Sequence, residues 1–304
     1  VTYVTQVLMS IMMVTMLFNS ISRAMATIKR VNEVLDSDPV IISGSEFSNG
    51  DDVAVSFRNV SFSYPTATGR PVLHDVNVDI KKGERFAVIG ATGSGKTSLV
   101  NLILRFYDAT EGEVLINGVP IKDCDLKKLR SSISYVMQKS ELFSGTVAEN
   151  IRWGKADASD EEVTNAAKIA QADSFIIEFN GGYNAYIAEK GASLSGGQKQ
   201  RLSIARALVR KPDMIILDDA TSALDLATES KLRNALEEQF EGTTVIMIAQ
   251  RIASVRHADR IAVIENGTIV DCAPHEVLLE RCATYRDIYS SQMKNTVEGG
   301  AKND

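Results

Sequence analysis

The stretch Phe86-Ala87-Val88-Ile89-Gly90-Ala91-Thr92-Gly93-Ser94-Gly95-Lys96-Thr97 decides how this chain is read. Four apolar residues with no polar interruption predict a strand buried on both faces. A glycine-rich turn ending in Lys-Thr follows, and then Leu99, Val100, Leu102 and Ile103 at helical spacing. Strand, glycine loop and helix in that order form the setting in which backbone N–H groups and a helix N-terminus cradle phosphate oxygens. Lys96 is placed for the outer phosphates, Thr97 for a magnesium ion, and Gly90, Thr92, Gly93, Ser94, Gly95 and Ser98 complete the candidate loop.

Working outward, two more apolar runs resemble the first: residues 214–217 and 245–248. Runs of this kind predict a parallel sheet with helices on both sides. The run at 214–217 ends in Asp218-Asp219. A carboxylate at the C-terminal end of such a strand lies where open α/β sheets bind ligands, so Asp218 is the candidate metal ligand. Residues 53–64, 72–80 and 113–116 have the β-branched content of half-buried strands, with Asn117-Gly118 as a turn. Residues 261–264 and 268–270 around Asn266-Gly267 read as a hairpin, and residues 141–209 as mostly helical.

The first 22 residues carry no charge, and Arg23, Lys29 and Arg30 follow them. Val4, Val7, Leu8, Ile11, Val14, Phe18 and Ile21 recur at helical spacing. A run of this length is able to span a bilayer, and basic residues after it place the following segment on the cytoplasmic side of the cell membrane. A signal peptide has the opposite charge order; a buried helix of a soluble protein is the plainer alternative. Thr2, Thr5, Gln6, Ser10, Thr15 and Asn19 suit a helix facing other helices or a polar path. The expected organisation is a membrane helix with its extension at 1–36, a Ser/Gly/Asp/Asn-rich linker at 37–52, a nucleotide-binding domain at 53–290 with a helical subdomain at about 139–210, and a polar tail at 291–304.

Composition sets further bounds. The 304 residues are 44% hydrophobic and 24% charged, enough to bury a sizeable core. A net charge of −6 argues against a nucleic-acid partner. Cys124, Cys272 and Cys282 are widely spaced, as free thiols of a reducing compartment are.

Leu194-Ser195-Gly196-Gly197-Gln198, followed by Lys199-Gln200-Arg201 and an apolar helix, resembles the signature of the ATP-binding cassette (ABC) proteins. The resemblance covers about residues 53–290. It includes Tyr64 in Phe62-Ser63-Tyr64-Pro65, Gln138 in Val136-Met137-Gln138, and Ser222-Ala223-Leu224-Asp225. Glu189-Lys190-Gly191 is similar to a segment that exporters of the family carry. The resemblance implies an α/β P-loop ABC ATPase fold, with a mostly parallel core sheet, an antiparallel β-subdomain and a helical signature subdomain. It implies ATP and Mg²⁺ as ligands, Tyr64 stacking on adenine, and Gln138 reaching the metal and the attacking water. It also implies a second ABC half-transporter as partner, docked head to tail. Ser195, Gly196, Gly197, Gln198 and Asp225 would then serve the partner's ATP. Five further spans are expected upstream of Val1. What is exported (small molecule, lipid or peptide) is not written in these residues.

Two positions depart from the family pattern. Asp219 stands where a glutamate is usual, and Gln250, in Ile248-Ala249-Gln250-Arg251, where a histidine is usual. A carboxylate set back by about 1 Å costs on the order of 100-fold in rate, and glutamine cannot carry positive charge. The expectation is a degenerate ATP site in one half of a heterodimeric exporter. The alternatives are an ATP-binding regulatory module with negligible hydrolysis, and a soluble ABC ATPase.

Overall fold

The computed structural model describes residues 2–48, 50–65 and 67–300, with side chains through Met293. Two compact units are present, residues 1–42 and 43–304.

The first unit is dominated by α1 (Thr2–Leu35), none of whose residues is buried. At 1.5 Å per residue its 34 residues extend about 51 Å, against a hydrocarbon core of about 30 Å. It is thus long and apolar enough to cross a membrane. Its polar side chains have a local solution. The hydroxyls of Ser10 and Thr15 donate to the carbonyls of Gln6 and Ile11, both at 2.9 Å. Hydroxyls bonded back four residues expose little polarity, so these residues need no polar neighbour.

In chain order the second unit runs β1 (Val53–Phe62), β2 (Leu73–Lys81), β3 (Arg85–Ile89), α2 (Lys96–Ile103), β4 (Glu111–Ile116), β5 (Val119–Pro120), α3 (Leu126–Ser132) and β6 (Ile133–Val136). The helical region follows: β7 (Gly145–Thr146), α4 (Val147–Arg152), α5 (Asp160–Ile169), α6 (Asp173–Glu178), β8 (Tyr186–Ile187) and α7 (Gly196–Leu208). Then come β9 (Met214–Asp218), α8 (Leu226–Gln239), β10 (Thr244–Ala249), α9 (Ile252–Val255), β11 (Arg260–Glu265), β12 (Thr268–Ala273), α10 (His275–Arg281) and α11 (Ala283–Gly300).

β1, β2, β4 and β5 form an antiparallel sheet, and a six-stranded sheet has the order β12-β11-β3-β10-β9-β6. Within the latter, β11, β3, β10, β9 and β6 are parallel, while β12 is antiparallel. The uninterrupted apolar runs pack on both sheet faces. Phe86, Val88, Ile216, Ile246 and Ile248 join the core shared with the antiparallel sheet and α2. Ile215, Leu217 and Val245 pack toward α5 and α7, and Ala87 and Ile89 toward α9 and α11.

Several details go beyond the sequence reading. β6 was not foreseen, and it forms the edge of the core sheet. Part of the stretch read as a linker is docked: Gly44 N–H donates to Cys124 O (3.0 Å) and Glu46 N–H to Asp123 O (2.9 Å). Helix α11 continues through Gly300 into the stretch read as a polar tail. Residues 301–304 lie outside the described residues, as does Val1 of the apolar run.

The helical region is tied to α7 by Asn150, which is buried. Its side chain accepts from Phe143 N–H (3.0 Å) and Arg206 Nη2 (3.0 Å) and donates to the carbonyls of Phe143 (2.8 Å) and Thr146 (3.1 Å). Asn150→Ala strands several buried polar groups at once and is expected to cost on the order of 2–3 kcal/mol. Urea unfolding of variant and parent checks this.

Candidate functional site

Parallel pairing sets the site. Ile89 of β3 is level with Ala249 of β10, Ile248 with Asp218 of β9, and Leu217 with Val136 of β6. The residues just beyond those strand ends therefore meet: Gly90 after β3, Asp219 after β9, Gln250 after β10, and Gln138 after β6. All of these but Gly90 line a cleft of about 240 Å³, together with Thr92, Gly93, Gly95, Lys96, Thr97, Ser98 and Asp218, among others. This is the carboxyl-end crevice in which open α/β sheets bind ligands.

Two glycines of the loop answer to specific constraints. Gly95, at φ +104°, caps α2 in a left-handed conformation, where a Cβ would also strike Leu73. A Cβ on Gly90 would lie 2.2 Å from the carbonyl oxygen of Ile264. Lys96 Nζ donates to the carbonyls of Gly90 (2.9 Å) and Ala91 (2.7 Å). An ammonium has three donors, so one remains for a phosphate oxygen. Burial lowers the Lys96 pKa, and Asp218 and Asp219 oppose that shift.

Asp218 is buried. Its Oδ2 accepts from Thr97 Oγ1 at 3.2 Å and from Tyr135 OH at 3.1 Å. Burial raises its pKa, and the two hydroxyls and Lys96 pull the other way. A hydroxyl and a carboxylate in contact are hard oxygen donors of the kind Mg²⁺ takes together with phosphate oxygens. Among the described residues no cluster of three or more His, Cys, Asp or Glu stands ready to hold a metal.

Asp219 has φ +49°, a left-handed conformation that aspartate tolerates better than most residues. Its N–H donates to Ile248 O (2.7 Å), its carbonyl accepts from Ser222 Oγ (2.8 Å), and its Oδ2 accepts from Gln138 Nε2 (3.2 Å). Burial raises its pKa, chiefly against the Gln138 hydrogen bond. The shorter carboxylate and Gln138 are therefore already in contact.

Other sequence candidates fall elsewhere. The Tyr64 hydroxyl meets Ser98 Oγ (3.0 Å) and accepts from Asn101 Nδ2 (3.2 Å). Its ring packs edge-on against Phe62 and Tyr107. Ser94 Oγ is buried with no hydrogen-bond partner and is not among the cleft-lining groups. Ser195, Gly196, Gly197, Gln198 and Asp225 do not line the cleft either. Ser195 caps α7 through a capping box: its Oγ accepts from Gln198 N–H (3.3 Å), and Gln198 Oε1 accepts from Ser195 N–H (2.9 Å). The serine proton stays available to donate. Asp225 likewise caps α8, its carboxylate accepting from Thr228 N–H and Oγ1. Gln200, which no motif singled out, is buried and its Oε1 accepts from Ala223 N–H (3.0 Å). It joins the signature helix to the loop leading to Asp225.

Residues 73–222 match the family model described as ABC transporter. The chain is 42% identical over 286 residues to the Bacillus subtilis ABC transporter ATP-binding protein YknV, covering 92% of this chain and 46% of that protein. It is 47% identical over 238 residues to a putative multidrug export ATP-binding/permease protein of Staphylococcus aureus, covering 78% of this chain and 41% of that one. The structure of a bacterial Atm1-family ABC exporter with ATP bound superimposes with a TM-score of 0.86 at 32% identity, over 96% of this chain and 51% of that chain. The chain thus spans about half the length of these relatives or less. Fold and cleft define the α/β ATPase fold of the ATP-binding cassette type. The chain carries the ATP-binding domain of an ABC transporter, of the kind found in exporters, together with an N-terminal helix able to cross a membrane.

Sequence motifs missed Tyr135, because no pattern announces it; its position opposite Asp218 depends on β6 lying beside β9. Tyr135→Phe removes a hydroxyl that orients Asp218 and is expected to raise the Mg²⁺ concentration needed for ATP binding about tenfold. Metal-free ATP binding should not change. Nucleotide binding titrated against Mg²⁺ checks this, and coincident curves would remove Tyr135 from the site.

Proposed function

We propose that this chain is the ATP-binding end of one half of a membrane exporter, working with a second ABC half-transporter docked head to tail. Its own cleft binds ATP with Mg²⁺ and turns it over slowly, while its signature segment completes the partner's site. The observation that carries this reading is the convergence of Lys96, Asp218, Asp219, Gln138 and Gln250 on one cleft, with the signature helix N-terminus lying outside it.

The division of labour follows from chemistry. Lys96, Thr97 and the loop N–H groups suffice to hold a triphosphate. A bound Mg²⁺ would neutralise phosphate charge between Thr97 and Asp218. Asp219 and Gln250 are the weak members: the first has the shorter reach, the second no positive charge. Loss of a well-placed general base costs about 10²–10⁴-fold. Asp219 also suits its left-handed backbone better than a longer side chain would. The signature segment keeps its full equipment, with Ser195 holding the helix end and the glycines free of side chains. The length and apolar surface of helix α1 support a place in the cell membrane, the basic residues after its uncharged run support an ATP-binding domain on the cytoplasmic face, and the multidrug-export names of its relatives favour export. A heterodimer, whose other half carries glutamate and histidine at the two positions, accounts for the asymmetry. The regulatory-module alternative differs only in setting the chain's own turnover at zero.

In the assembled transporter, Lys96→Ala is expected to leave a substantial fraction of ATPase activity, whereas Gly196→Ala reduces it at least tenfold. A Cβ at Gly196 meets Ala223 only at an ordinary 3.7 Å, so the fold accepts the substitution. The reverse ranking would refute the asymmetric assignment. Asp219→Glu combined with Gln250→His should raise ATPase activity by an order of magnitude or more; no gain would show that the site is not limited by these two residues.

A further inference from the structure

The loop bearing Gln250 is held from behind by the C-terminal helix. Gln292 of α11 donates through Nε2 to the carbonyl of Gln250 (2.7 Å) and accepts through Oε1 from the N–H of Ile252 (2.9 Å). One primary amide thus spans residues 250 and 252, offering donor and acceptor side by side. Ile252 opens α9, so its N–H is one of the donors a helix start leaves unpaired. The residue at the cap position, Arg251, makes no side-chain capping bond. Gln292 supplies the missing cap from another element.

Its placement is fixed by packing. Tyr285, Ile288, Tyr289 and Gln292 recur at i, i+3, i+4 and i+7, one face of α11. Tyr285 is fully buried in the cluster that also contains Ile89, Ile252 and Val255, and Ile288 and Tyr289 pack against it. The same cluster therefore anchors the strand entering the phosphate loop, the start of α9 and the helix carrying Gln292. On the other side of this clamp, Gln250 lines the candidate nucleotide cleft.

We propose that Gln292 is a positioning residue for the switch loop: its amide sets where Gln250 meets the terminal phosphate of bound nucleotide. The inference rests on the reading of Gln250 as a γ-phosphate residue and goes beyond it by assigning the control of that residue to the C-terminal helix. Gln292 touches no nucleotide; it acts through the backbone at 250 and 252. Ligands with a γ-phosphate sense its loss and ligands without one do not.

The test measures binding of a non-hydrolysable ATP analogue and of ADP to the full chain in detergent, for the parent, Gln292→Ala, Gln292→Glu and Gln250→Ala. Gln292→Ala is expected to weaken analogue binding about three- to tenfold, as fits the loss of one or two hydrogen bonds, with ADP binding within twofold of the parent. Gln292→Glu keeps the acceptor for Ile252 and loses the donor to Gln250. It should show the same selective loss with the cap of α9 intact, so a folding defect of the alanine variant does not decide the matter. An unchanged ratio, or an equal loss for both nucleotides, in both Gln292 variants while Gln250→Ala shifts the ratio would overturn the positioning role and leave the Gln250 reading standing. An unchanged ratio in Gln250→Ala would overturn both.

Discussion

The level pairing of four parallel strands is the constraint on which the rest depends. β6, β9, β10 and β3 are hydrogen-bonded with Val136 beside Leu217, Asp218 beside Ile248 and Ala249 beside Ile89, so the four strands end within about two residues of one another. Residues separated by as much as 160 positions then need only one or two further peptide units to meet. A slip of one residue in any pair would turn the alternate side chains to the other face. The two-sided apolar packing of these strands opposes such a slip, because residues on both faces are committed to different cores. The chemistry at the strand ends is thus secured by burial several residues below it.

Electrostatics inside the cleft then follow from burial. Desolvation acts in the same sense on all three central groups, disfavouring charge on Lys96, Asp218 and Asp219. The two carboxylates oppose the shift of Lys96, and Lys96 together with hydroxyl or amide donors opposes theirs, while Asp218 pushes Asp219 further up. Placing opposite charges together in a partly desolvated site strengthens their mutual attraction. It also gives an incoming polyanion a strong interaction with the ammonium, at the cost of proximity to two carboxylates. A divalent cation held by the Thr97–Asp218 pair, which has oxygen donors for it, would ease that conflict.

Much of the architecture was legible because it is written in local patterns. The buried strands are uninterrupted apolar runs, the phosphate loop lies between one of them and an apolar helix, and the Asn-Gly turns mark hairpins. What escaped was long-range. Ile133–Val136 is only four residues long and begins two positions after Ser131, so nothing local separates it from a loop. Its identity as a strand comes from β9, about eighty residues later. Tyr135, Asn101, Gln200 and Gln292 carry no motif, since each acts through partners brought near only by tertiary packing. Gln292 was hidden further by the polar composition of the segment after it, which obscures the apolar face formed by Tyr285, Ile288 and Tyr289.

The capping box at the start of α7 has a consequence for affinity. Ser195 and Gln198 satisfy each other's backbone, so the rotamers and dihedrals at this helix end are fixed when the chain folds. A group that must be ordered on contact forfeits part of its interaction energy to lost freedom; one already ordered does not. An anion presented to this helix end meets donors whose entropy was surrendered long before the encounter.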